Sequence, residues 1–176
     1  MNLKLKRTPG IYLVGFMGSG KSTIGRMLAH RLGWSFFDTD EEIERAEKTS
    51  ISEIFEQRGE PEFRRIEATI LRQHVGWIER GRPAVLALGG GAFTQAGNRE
   101  TLADRGITVW LDCPFETISR RVAQASHRPL ARDPAEFAAL YRARLDGYRL
   151  AEVHIAIAGD DPAEAVESIL CHPLIR

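Results

Sequence analysis

Apolar residues fall along this chain in two rhythms. Unbroken runs over Gly10–Phe16 (GIYLVGF), Ala84–Leu88 and Ile107–Leu111 have the length and content of buried strands. Ser35–Phe37 and Val153–Ile157 predict two more strands. Elsewhere apolar positions recur at helical spacing, over Lys21–Leu32, Glu41–Gln57, Glu62–Arg80, Pro114 to about Ala125, Ala135–Ala151 and Ala163–Cys171. Gly59 and Pro61 break the second of these from the third. Gln124 to Pro134 is polar and reads as a loop. Strand alternating with helix predicts an α/β fold, a parallel sheet covered on both faces. Ligands bind such sheets beyond the carboxyl ends of the strands. The expected ends are Gly15, Asp38, Gly89 and Asp112, so polar and glycine-rich sequence gathers on that edge.

Length and charge narrow the class. The 176 residues suit one domain, with its core over about residues 10 to 172. At 43% hydrophobic and 27% charged, the chain is composed like a globular protein, not a disordered one. Its 24 basic residues balance its 24 acidic ones, which argues against a partner that is nucleic acid or an anionic membrane. A monomer that meets small molecules is the expectation. Cys113 and Cys171 have neither metal nor disulfide spacing, and the five histidines form no ligand pair. The opening MNLKLKRTPG leads into no apolar signal region, and no run reaches membrane-spanning length, so the expected location is the cytoplasm.

The chemistry begins at Gly15-Phe16-Met17-Gly18-Ser19-Gly20-Lys21-Ser22, which fits G-x-x-x-x-G-K-[ST] at every fixed position. It follows an expected strand and opens an expected helix, the context this motif requires. Its glycines let the backbone wrap phosphate oxygens, and the amide groups and helix N-terminus supply positive potential. Lys21 reaches the β- and γ-phosphates, Ser22 offers a hydroxyl to Mg²⁺, and Ser19 and Thr23 complete the nucleotide-binding stretch.

Two carboxylates follow the next strand, in Phe37-Asp38-Thr39-Asp40. Asp38 is expected to face the magnesium through water. Asp40 lies farther out, where it can orient an acceptor hydroxyl and take up its proton. A second reading makes Asp40 the N-cap of the acidic helix that follows, and taken alone the residue favours the cap; beside a phosphate loop in a small kinase-like fold the catalytic role is favoured.

From Ile11 to Asp40 the chain resembles the start of a bacterial shikimate kinase. The later motifs follow in that family's order: Glu62-Phe63-Arg64-Arg65-Ile66-Glu67, Gly89-Gly90-Gly91-Ala92, Arg128-Pro129-Leu130, and Arg144 four residues before Tyr148. The resemblance spans about residues 10 to 170. It implies a nucleoside-monophosphate-kinase-like fold with a five-stranded parallel sheet in the order 2-3-1-4-5. It also implies transfer of phosphate from ATP to shikimate, with Mg²⁺, on the way to chorismate and the aromatic amino acids.

By the same resemblance Arg64 and Arg144 hold the acceptor's carboxylate, a task that suits the bidentate arginine fork. Asp40 and the Gly89-Gly90-Gly91 backbone then hold hydroxyls. Glu67, one helical step from Arg64, steadies its guanidinium, and Phe55 and Phe63 are expected as apolar walls of an acceptor region over about residues 38 to 67. Arg128 sits in a lid over about residues 124 to 134 and meets the transferring phosphate. Arg121 is expected to stack on adenine beside Pro162, a residue equally suited to the first turn of a helix. Three departures stand out: Asp146 offers Arg144 a competing partner, the lid lacks the family's common second Leu, and the family's usual adenine-loop Arg is replaced around Asp160. Two other readings fit parts of the pattern. One is another small-metabolite kinase, gluconate-kinase-like. The other is a ligand sensor without catalysis, although only about nine residues precede the first strand, too few for a DNA-binding helix-turn-helix.

Overall fold

A computed structural model of the chain describes residues 10–124 and 133–175. The apolar runs form β1 (Gly10–Val14), β2 (Ser35–Asp38), β3 (Ala84–Ala87), β4 (Ile107–Asp112) and β5 (Val153–Ala156). All neighbours pair in parallel, in the order β2-β3-β1-β4-β5, as expected from the resemblance. Leu13 of β1 is in register with Ala87 of β3 and Val109 of β4. A central strand is covered on both faces, which is why β1 is buried at every position.

The helices are α1 (Lys21–Leu32), α2 (Thr39–Glu47), α3 (Ile51–Glu79), α4 (Ala96–Leu102), α5 (Phe115–Gln124), α6 (Pro134–Tyr148) and α7 (Pro162–Leu170). Ile24 and Leu28 of α1, Leu71, Val75 and Ile78 of α3, and Val166 and Ile169 of α7 close the main core around the sheet. A separate cluster of Ile43, Ile54, Phe63, Ile66 and Ile70 joins α2 to α3. Phe63 therefore belongs to this satellite core, and half-exposed Phe55 stacks on it with ring centroids 4.5 Å apart. No helix among the described residues is long and apolar enough to cross a membrane.

The expected helix over Glu41–Gln57 is two helices. Lys48 ends α2 in the left-handed region at φ 54°, and Ser50 starts α3 in a reciprocal capping box with Glu53. The N-cap of α2 is Asp38, whose Oδ1 accepts from the Asp40 amide at 3.0 Å. Asp40 is thus inside the helix, and the reading of it as the cap is corrected: the carboxylate two residues earlier already satisfies the orphan amide. The break near Gly59 is a kink within α3, with Gly59 at φ 80°. Helix α4 has no counterpart among the expected elements. Helix α6 stops at Tyr148, three residues short of the expected end.

Behind α2, the buried His74 ring packs against Phe37 and Trp77, with Nε2 3.5 Å from Glu42 Oε2 and Nδ1 without a partner. Burial pushes its pKa below the usual 6.5, aided by the Arg45 charge and opposed by Glu42. The unfolded chain therefore binds a proton that the folded one resists. Stability is whole above about pH 6.5 and is lost as pH falls through the lower folded value. Melting temperatures should drop more steeply between about pH 7 and 5 for the native chain than for His74→Phe. Equal slopes would show that His74 does not carry this linkage.

Candidate active site

The phosphate-loop sequence joins β1 to α1. Gly18 and Gly20 stand at φ 80° and 95°, in the region where side chains are strained, so the loop can curl back on itself only with glycine here. Gly20 caps α1 without any side-chain bond, and the first turn of α1 contains no acidic residue. The helix thus presents unneutralised amide groups, which suit an anion. Lys21 Nζ donates to Gly15 O at 2.8 Å and Phe16 O at 2.9 Å, which arches the side chain over the loop. Ser22 Oγ donates to Asp38 Oδ2 at 2.5 Å, linking the start of α1 to the end of β2.

Three consecutive residues at the end of β2 point to three places. Asp38 faces Ser22. Thr39, a buried residue that the sequence reading passed over, accepts the Gly89 amide on Oγ1 at 2.9 Å. Asp40 turns towards Gly89, where an added Cβ would stand 2.6 Å from its Oδ1 and 3.1 Å from Glu67 Oε1. The same triplet of glycines meets both expected arginines. A Cβ on Gly91 would lie 2.6 Å from Arg64 Nη2, and one on Gly90 would lie 3.2 Å from Arg144 Nη1. A side chain at Gly89 or Gly91 would displace the Asp40 carboxylate or the Arg64 guanidinium from this turn, so glycine there favours their convergence with Glu67 and Arg144.

Arg64, Glu67 and Arg144 are braced. Arg64 Nη1 donates to Glu67 Oε2 at 2.9 Å, the contact expected from their spacing, and Glu60 takes the other side of the fork. The guanidinium also lies 5.2 Å from the Phe63 ring centroid. Burial holds the Glu67 carboxyl above the usual range, opposed by Arg64 and reinforced by the Asp40 charge. Its Oε1 is buried without a hydrogen-bond partner, beside the same turn. Arg144 stands 5.5 Å over Phe16, and Tyr148 donates its hydroxyl to Gly90 O. Burial pushes the Tyr148 pKa up to about 12, so this donor keeps its proton. Asp146 does not compete for Arg144. It lies on the far side of α6, paired with Arg149 at 2.6 Å, because residues two apart on a helix face different ways.

On the other side of the phosphate loop a cavity of about 440 Å³ opens next to Gly20 and Thr23. Arg121, Asp160 and Pro162 line it. Pro162 is also the first residue of α7, behind an Asp161 cap, as its alternative reading as a first-turn proline expected. Arg128 and most of the expected lid lie outside the described residues.

A parallel sheet in this order, with a phosphate loop after its central strand, defines a P-loop protein of the nucleoside-monophosphate-kinase type. The comparisons agree. The family model described as shikimate kinase matches residues 17–172. The shikimate kinase of Caulobacter vibrioides is 44% identical over 168 residues, which are 93% of this chain and 82% of that one. That of Persephonella marina is 38% identical over 161 residues, 91% of this chain and 96% of its own. A solved structure of shikimate kinase from Acinetobacter baumannii in complex with shikimate is 40% identical at a TM-score of 0.84, covering 94% of this chain and 93% of that one. The chain belongs to the shikimate kinase family.

Proposed function

We propose that this protein transfers the γ-phosphoryl group of ATP to the 3-hydroxyl of shikimate, a step towards chorismate and the aromatic amino acids. The observation that carries the reading is the convergence of Asp40, Arg64 and Arg144 on the Gly89–Gly91 turn, linked through β2 to the phosphate loop. Two guanidinium groups suit one carboxylate, and Asp40 with the glycine backbone suits ring hydroxyls. The phosphate loop and Lys21 hold the β- and γ-phosphates, and Arg121 with Pro162 receives the adenine.

The acceptor hydroxyl attacks the γ-phosphorus in line. Its bond to phosphorus forms as the bond to the ADP oxygen breaks, and its proton passes to Asp40. No side chain needs to carry the phosphoryl group. Ser22 Oγ and Asp38, joined at 2.5 Å beside the loop, are hard oxygen donors of the kind Mg²⁺ takes alongside water and phosphate. They fit such an ion and would hold it, Asp38 through water. An ion held by these residues would supply charge neutralisation to the nucleotide's phosphates. The reading also includes a cytoplasmic monomer, and light scattering on the purified chain tests the oligomeric part.

A coupled ADP-release assay with a panel of acceptors tests the function. Release should depend on shikimate. Equal turnover of gluconate would favour the other small-metabolite kinase, and shikimate binding without any ADP release would favour the sensor. Intact Lys21, Ser22, Asp38 and Asp40 support catalysis.

Arg64→Ala and Arg144→Ala should each raise KM for shikimate far more than KM for ATP. Losing an Arg–carboxylate contact in a partly desolvated site costs about 2–5 kcal/mol. Equal effects on both substrates would count against carboxylate recognition by these side chains.

A further inference from the structure

Phosphoryl transfer as derived above gives Asp160, in the turn between β5 and α7, no task. Its carboxylate nevertheless accepts from Arg120 Nη2 at 2.9 and 2.8 Å and from Arg121 Nη2 at 3.0 Å. Arg121 in turn donates to Gly18 O at 3.3 Å on the phosphate loop and to Gly159 O at 3.4 Å. One guanidinium therefore ties the phosphate loop to the β5–α7 turn across the mouth of the 440 Å³ cavity. Asp160 clasps it from outside, with its side chain 67% exposed against 26% for Arg121. Ile24, Ile157 and Pro162 give the cavity apolar lining. With phosphates on the loop, the base of a nucleotide has this space beside Thr23 to enter.

We propose that Asp160 is a positioning residue for the nucleotide, holding the Arg121 guanidinium as a preset plate against which the base stacks. The inference rests on the reading of Arg121 and its cavity as the nucleotide's base site. An arginine carries large rotamer freedom, and a free one must give it up when the nucleotide binds. Here the folded chain has already ordered it, so less affinity is lost at binding. Arg120 offsets the negative charge that Asp160 would otherwise present near the nucleotide. Hydrogen bonding from Arg121 and the charge of Arg120 hold the Asp160 carboxyl below the usual range, so it stays ionised at neutral pH. Exposed ion pairs add little to stability, so the effect is expected in nucleotide affinity and not in melting.

The test is a cycle of Asp160→Ala, Arg121→Ala and the double variant, with Asp160→Glu as the conservative exchange. KM for ATP, Kd for ADP and KM for shikimate are measured on the full chain. Asp160→Ala should raise KM for ATP and Kd for ADP by about two- to tenfold, the range for ordering one long side chain, with a smaller change for shikimate. Asp160→Glu should recover most of the loss. In the Arg121→Ala background, removing Asp160 should add nothing further, because it acts through that guanidinium. Additive losses in the double variant, or unchanged ATP and ADP constants for Asp160→Ala beside a clear effect of Arg121→Ala, would overturn the positioning role. Nucleotide constants untouched by Arg121→Ala would overturn the base-site reading, and this inference with it.

Discussion

Lys21→Ala should lower kcat by about a hundredfold or more, the scale seen when one donor aimed at developing transition-state charge is removed. The fold should survive. Lys21 opens α1, where alanine is a good helix former, and its ammonium donates to the loop carbonyls of Gly15 and Phe16, outside the core. The melting temperature and kcat must be read together. A stable variant losing less than about tenfold in kcat would remove Lys21 from the transition state.

Asp40→Asn is expected to have the next largest effect, a loss of about 10²–10⁴ in kcat with a mild change in shikimate affinity. Asparagine keeps the size and one acceptor oxygen but cannot take up the hydroxyl proton. Because Asp38 is the cap, helix α2 keeps its N-cap bond in this exchange. Relieving the like charge beside Glu67 offsets the loss of a first-turn charge on α2, so stability should change little. Asp38→Asn should behave differently, with altered Mg²⁺ dependence and poorer nucleotide use, while still capping α2. Near-native turnover by Asp40→Asn would sink its catalytic assignment.

Most of the sheet is legible from local sequence. A strand buried on both faces needs an apolar run, and β1, β3 and β4 have one. The phosphate loop is legible for a related reason: its demands are local, glycine where the backbone turns and a lysine and hydroxyl at the helix start. The division between α2 and α3 is also written locally, in Ser50-x-x-Glu53, but the apolar periodicity runs across it and masks the cap. Helix α4 is short and mostly polar, so periodicity has little to register. Contacts between distant segments are not legible in the residues alone. Thr39 with Gly89, Tyr148 with Gly90, and Arg121 with Asp160 lie 50, 58 and 39 residues apart. For Arg64 and Arg144 the resemblance supplied what spacing could not, and the shared glycine turn gives the physical reason for their pairing.

The end of β2 carries a consequence for selectivity. Asp38, Thr39 and Asp40 share one stretch of backbone, fixed to α1 at one end and to the glycine turn in the middle. Under the proposed function, the gap between donor and acceptor is therefore a ruler cut into the chain, not a distance that two independent loops can adjust. A molecule whose hydroxyl stands at another height can fill the pocket and still miss the phosphorus. Discrimination among similar acceptors is then expected to fall on reach and alignment, so an analogue with a displaced hydroxyl should compete with shikimate without being phosphorylated.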